Sequence, residues 1–111
     1  MKIWVLKLSP RYDLSGMNDK RIAQLADGDW KVNLNSLKMV DYVIVMHEQK
    51  VVFDYVLNDT IQLNLKKDFR VSNLGLKNAN NATGLVGEFL DYRTANPSTI
   101  KDLDDLQKLI K

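Results

Sequence analysis

Apolar residues in this chain recur in short runs, several of them alternating with polar neighbours at the period of two that a β-strand imposes. Lys2 to Leu8 predicts a first strand with Trp4, Leu6 and Leu8 on its core side. Ser9-Pro10 ends it, because Pro10 has no amide hydrogen to give to a ladder. Trp30-Lys31-Val32-Asn33-Leu34-Asn35 alternates strictly and predicts a strand with Trp30, Val32 and Leu34 inward, followed by a single helical turn from Ser36 to Val40. After Asp41, the run Tyr42 to His47 is almost wholly apolar, the pattern of a central strand covered on both faces. Lys50 to Leu57 returns as its antiparallel partner across Glu48-Gln49, although that pair is not a favoured hairpin turn. Beyond a turn at Asn58-Asp59, strands are expected at Ile61–Leu65 and near Phe69-Arg70-Val71, then an Asn-rich loop from Ser72 to Thr83 and a last strand from Gly84 to Leu90.

Two segments carry helical spacing instead. Asn18 to Ala26 places Ile22, Leu25 and Ala26 on one stripe, with Asn18 or Asp19 as cap and Gly28 as stop. Asn96-Pro97-Ser98 opens a closing helix on which Ile100, Leu103, Leu106, Leu109 and Ile110 share a face, capped by Ser98 or Thr99. The elements together predict one α+β domain over residues 1–111: a small curled antiparallel or mixed β-sheet or barrel with two short flanking helices.

Composition narrows the setting. The chain has no cysteine, which excludes disulfides and thiolate metal sites and favours a reducing, cytoplasmic compartment. No apolar run reaches the roughly 18 residues of a membrane span, and Lys2 and Lys7 interrupt the stretch a signal peptide would need, so no membrane partner is expected. A net charge of +2 attracts a polyanion only weakly, so a nucleic-acid partner needs a local basic face.

The sequence holds one histidine and no glycine-rich phosphate loop, nucleophile elbow or metal-ligand spacing. It therefore predicts a domain without catalytic activity and without a cofactor. His47 suits a half-exposed strand end, or a ligand contact that titrates near neutral pH. Trp4 and Trp30 suit core anchors. One of them alternatively walls a pocket for a planar ring, and Trp30 is the better candidate because polar side chains alternate with it. Arg11, Lys31 and Arg70 form a candidate phosphate-contacting patch, with Tyr12 beside Arg11. Asp41 and Asp54 flank the central hairpin as ordinary strand-end and edge charges or as a carboxylate pair.

Several of these segments resemble the EVE-type domains of the PUA-like superfamily: Trp4-Val5-Leu6-Lys7 with Ser9-Pro10, Trp30-Lys31-Val32, Asp41 to His47, Val51 to Val56, Gly84 to Glu88, and Asn96-Pro97. Val40-Asp41 departs from the Gly-Asp pair common before the central strand in those domains. The resemblance implies a small β-barrel that binds RNA or a modified nucleobase in a cleft between strands, with Ser9, Trp30 and Asn33 nearest that cleft. The partners expected are then RNA or single-stranded or modified DNA. An alternative is a phage or mobile-element factor that modulates a host protein through an exposed aromatic patch around Tyr42, Tyr55 and Phe89. Self-association through a sheet edge or the closing helix is a third.

Overall fold

The apolar run of the first strand is buried on both sides. In the computed structural model, which describes residues 1–57, 62–64, 70–72 and 74–111 (62–64 without their side chains), Ile3, Trp4, Val5 and Leu6 are all fully buried. This strand, β1 (Lys2–Lys7), therefore has two core faces, where simple alternation assigned it one.

The chain continues through α1 (Asp19–Leu25), β2 (Gly28–Trp30), α2 (Leu34–Leu37), β3 (Val40–His47), β4 (Lys50–Val56), β5 (Gln62–Asn64), β6 (Arg70–Ser72), β7 (Lys77–Asn78), β8 (Ser98–Asp102) and α3 (Leu103–Gln107). The main sheet has the order β7-β4-β3-β1-β8, and a smaller one the order β2-β6-β5. β1 runs parallel to β3, with Trp4 opposite Val43, and antiparallel to β8, with Trp4 opposite Ile100. A parallel pair needs a long crossover, and residues 8–39, carrying α1, β2 and α2, supply it. The sheet is mixed and ends at β7 and β8, so among the described residues it is open and not a barrel.

The first face of the sheet packs Trp4, Leu6, Val43, Val45 and Tyr55 against Ile22 and Ala26 of the α1 region, Leu37 of α2 and Val71 of β6. The second packs Ile3, Val5, Ile44 and Met46 against Leu85, Leu90, Tyr92 and Leu106. The fold is thus α+β, as expected; among the described residues α1 and α3 are its two short flanking helices, and α2 is a single turn that starts two residues ahead of the one expected from Ser36.

Local chemistry explains where elements stop. Asn18 caps α1 by accepting from the Arg21 amide at 2.9 Å. Glu48 and Gln49 take left-handed φ of 51° and 68°, closing the β3–β4 hairpin in a twist-compatible turn despite their unfavourable residue types. Gly28 has φ +147°, and a Cβ there would lie 2.5 Å from the Ser72 Cβ and 2.7 Å from its Cα. Gly28→Ala should therefore push β2 off β6 and cost about 1–3 kcal/mol, read as a lower urea midpoint. An unchanged midpoint would show that this contact is slack.

Four expectations shift. The strand predicted over Trp30–Asn35 ends at Trp30, because Asn33 turns the chain into α2 by accepting from the Asn35 and Ser36 amides, which leaves Leu34 exposed. The 72–83 loop contains β7, paired with the end of β4. Gly84 to Leu90 is not a strand; it makes turns and touches the ladders only through bridges at Phe89 and Leu90. The closing helix begins at Leu103, and Ser98–Asp102 is a strand instead, because Ser98-Thr99-Ile100 pairs edge-on with β1. Asn58, Asp59, Ile61, Leu65 and Phe69 lie outside the described residues.

Tyr55 reports on the first core. It is 1% exposed, and its hydroxyl donates to the Asp19 carbonyl at 2.7 Å. Burial raises its pKa strongly, with the nearby Asp19 and Asp54 charges adding to the rise. A phenol whose ionisation is suppressed by folding contributes fully below its unfolded pKa of about 10 and loses that contribution as pH rises further. An ultraviolet titration should therefore show one tyrosine that ionises only with alkaline unfolding; its removal in Tyr55→Phe identifies it.

Candidate functional site

The edge strand β8 is shaped by short-range bonds. The Asn96 amide donates to Thr94 Oγ1 at 3.2 Å, and the Ser98 amide to Asn96 Oδ1 at 3.1 Å. Pro97 offers only a carbonyl, which accepts from the Lys7 amide at 2.9 Å. Ser98 Oγ, buried, accepts from Trp4 Nε1 at 2.9 Å, so the core tryptophan holds a hydroxyl at the sheet edge.

Across from this edge stands the segment that links β2 to α2. Trp30 Nε1 donates to the Ala26 carbonyl at 2.8 Å, and Asn33 is held by its capping bonds. Lys31, Val32, Asn33 and Ser36 on this side, with Asn96, Ser98, Thr99 and Ile100 on the other, enclose a cleft of about 550 Å³. That volume falls within the range of small-molecule sites, about 300–1,000 Å³. Its lining mixes amides and hydroxyls with the apolar Val32 and Ile100, and Lys31 is its one charged side chain among the described residues.

The structure divides the predicted site residues. Lys31 and Asn33 line the cleft. Ser9 lines a separate hollow of about 340 Å³ with Lys7, Gln49 and Pro97, and its Oγ accepts from the Arg11 amide at 3.2 Å. The two hollows share the segment 94–100: Asn96, Ser98 and Ile100 face the first, and Ala95 and Pro97 the second. Arg11 and Tyr12 are exposed in the loop after Pro10 and line neither. Arg70 donates to the Asp29 carbonyl at 3.4 Å, tying β6 to β2. Lys31 therefore stands in the cleft without Arg11 or Arg70, and the expected three-residue patch is not assembled there.

Trp4 is a core residue. Trp30 is half-buried and packs against the first core; it stands beside the cleft and does not line it, so the expected ring platform is absent. The aromatic patch does not form as expected either: Tyr55 is in the core, Tyr42 packs against the second core, and exposed Phe89 lies under Lys50 at 5.9 Å. Asp41 and Asp54 are not a pair. Asp41 accepts from the Lys2 amide at 2.8 Å, while Asp54, far from an edge charge, is fully buried. His47 is half-buried at the end of β3, with Nε2 shielded from solvent and without a hydrogen-bond partner among the described residues. Among the described residues no three His, Asp or Glu side chains gather as metal ligands, and no helix is long and apolar enough to cross a membrane.

Val32, Ser36, Asn96, Ser98, Thr99 and Ile100 are cleft residues that sequence reasoning missed. One signal for them was present: Ser-Thr-Ile after Asn-Pro has strand propensity, and Asp102 before Leu103-Asp104-Asp105 suits a helix start. The chain has no significant match among protein-family models, curated proteins or solved structures.

Proposed function

We propose that this domain is a small, non-catalytic, cytoplasmic binding module for RNA or a modified nucleobase, taken up in the cleft between residues 31–36 and β8. The observation that carries the reading is the lining itself: amide and hydroxyl groups of Asn33, Ser36, Asn96 and Ser98 converge beside the apolar Val32 and Ile100, with Lys31 the single cation among the described residues. Such a lining suits a flat, uncharged ring with polar edges better than a run of phosphates. The resemblance of Trp4 to Lys7, Asp41 to His47 and Val51 to Val56 to segments of EVE-type domains points the same way.

The test is a tryptophan-fluorescence titration with short single-stranded RNA and with DNA carrying modified bases. Because Lys31 is the one cation at the cleft among the described residues, log K should fall with log salt at a slope of about −0.7, one counterion on a single strand. Lys31→Ala should flatten that slope while leaving residual binding. Absence of any response at low salt overturns the reading.

A further inference from the structure

The main-chain groups of β8 have a fixed direction that its register against β1 determines. Val5 lies opposite Thr99 and Ile3 opposite Lys101. Lys7 donates to the Pro97 carbonyl and Leu103 to the Met1 carbonyl, both at 2.9 Å and both in the same register. In an antiparallel ladder, hydrogen-bonded and non-bonded pairs alternate. Thr99 and Lys101 therefore turn their N–H and C=O toward β1, and Ser98, Ile100 and Asp102 turn theirs outward, away from the sheet. The outward Ser98 N–H is already taken by Asn96 Oδ1. At the cleft wall this leaves the N–H and C=O of Ile100 side by side, with the Ser98 carbonyl next to them.

We infer that the cleft reads an unpaired nucleobase through its Watson–Crick edge, with the Ile100 main chain as the reading group; this rests on the cleft's assignment to a nucleobase. A donor and an acceptor from one extended residue point the same way. The Watson–Crick edge of every base carries an adjacent acceptor and donor: ring nitrogen and amino group in adenine and cytosine, carbonyl and ring N–H in guanine and uracil. One main-chain pair meets either order when the ring turns over, so the contact selects for an exposed edge and not for one base. A base inside a duplex has that edge occupied and is excluded, which confines the ligand to single strands. An added β-strand is the competing occupant of such an edge. It is disfavoured because the Ser98 amide is capped, α3 begins directly after Asp102, and residues 31–36 face Ser98–Ile100 across the cleft.

The test compares heptamers built wholly of uridine, of N3-methyluridine or of 5-methyluridine, with the uridine heptamer also annealed to a complement. With ¹⁵N-labelled protein, the Ile100 amide resonance should move on binding the uridine heptamer. The 5-methylated strand should bind like uridine, whereas the N3-methylated strand and the duplex should bind about tenfold more weakly or worse. Ile100→Pro removes the outward N–H, which an edge strand tolerates, and trims a side chain packed against the first core. It should fold with a lowered urea midpoint and lose the distinction between the two methylated strands. If Ile100→Pro unfolds the domain, the Ile100 amide shift in the unmodified protein still decides. Equal binding of all three single strands with a silent Ile100 amide overturns the inference and leaves base binding at the cleft intact. Failure of every heptamer to bind overturns both. A concentration-dependent dimer in sedimentation that protects the Ile100 amide from exchange also overturns the inference, because the edge would then belong to a second copy.

Discussion

Replacing Trp4 with alanine should destabilise the domain by about 3–5 kcal/mol, the range for losing a large aromatic side chain from a packed core. Trp4 is fully buried at the centre of the first core, between Leu6 on its own strand and Val43 directly opposite on β3. Single domains have total stabilities of about 5–15 kcal/mol, so the variant should unfold at a much lower urea concentration and be partly unfolded at 37 °C if the parent lies near the lower end. Trp4→Phe separates packing from polarity. It keeps most of the ring volume and removes the Nε1 donor that holds Ser98 Oγ at 2.9 Å. Its cost should be about 1–2 kcal/mol, the loss of one buried hydrogen bond. It should also loosen Ser98 in the cleft, so ligand affinity should fall more than stability does. A Trp4→Ala variant within 1 kcal/mol of the parent would remove Trp4 as the anchor of this core.

Asp54→Ala is the second large effect, expected at about 3 kcal/mol or more. The Asp54 carboxylate is fully buried and accepts three bonds: from the Asn81 amide at 2.9 Å, the Thr83 amide at 2.9 Å and Thr83 Oγ1 at 2.7 Å. Hydrogen bonds to an ionised acceptor contribute about 1.5–3 kcal/mol each, and stranding a buried donor costs about 1–3 kcal/mol. The turn they hold passes through left-handed Asn80 and Asn81, with φ of 54° and 63°, and delivers Leu85 to the second core. Asp54→Asn should also be destabilising, because its amide group presents hydrogens to groups that are themselves donors. Urea denaturation reads the loss, and hydrogen exchange at the Thr83 amide locates it. Asp54 lies opposite Ile44, on the face of the second core, whereas Ile100 and Val32 at the cleft pack against the first. Cleft binding in the folded fraction should accordingly be unchanged.

Asp54 also marks a limit of reading the chain in one dimension. A lone carboxylate within an alternating hairpin strand has the pattern of an edge charge, and nothing local announces that residues 79–84, a quarter of the chain further on, will fold over it. The closing segment misleads for a related reason. Ile100, Leu103 and Leu106 fall at helical spacing, yet Ile100 is on a strand against the first core while Leu103 and Leu106 belong to the second. Over so few residues, a strand followed by a helix can mimic one helical stripe. The cleft was half legible for the same reason: Lys31 and Asn33 stand on a local polar alternation, but their opposite wall comes from a segment more than sixty residues away.

Residue order alone established the elements whose cause is local. The β3–β4 hairpin follows from its apolar run and return, α1 from its cap and stripe, and the mixed α+β class from the alternation of periods. Long-range pairing established the rest: β1 parallel to β3, β8 on the sheet edge, and the small sheet with α2 over the first face. Hydrogen-bond direction and side-chain period are written into each short segment. Which segment becomes the neighbour is set by burying both faces of one sheet at once, a condition that no window of the chain contains.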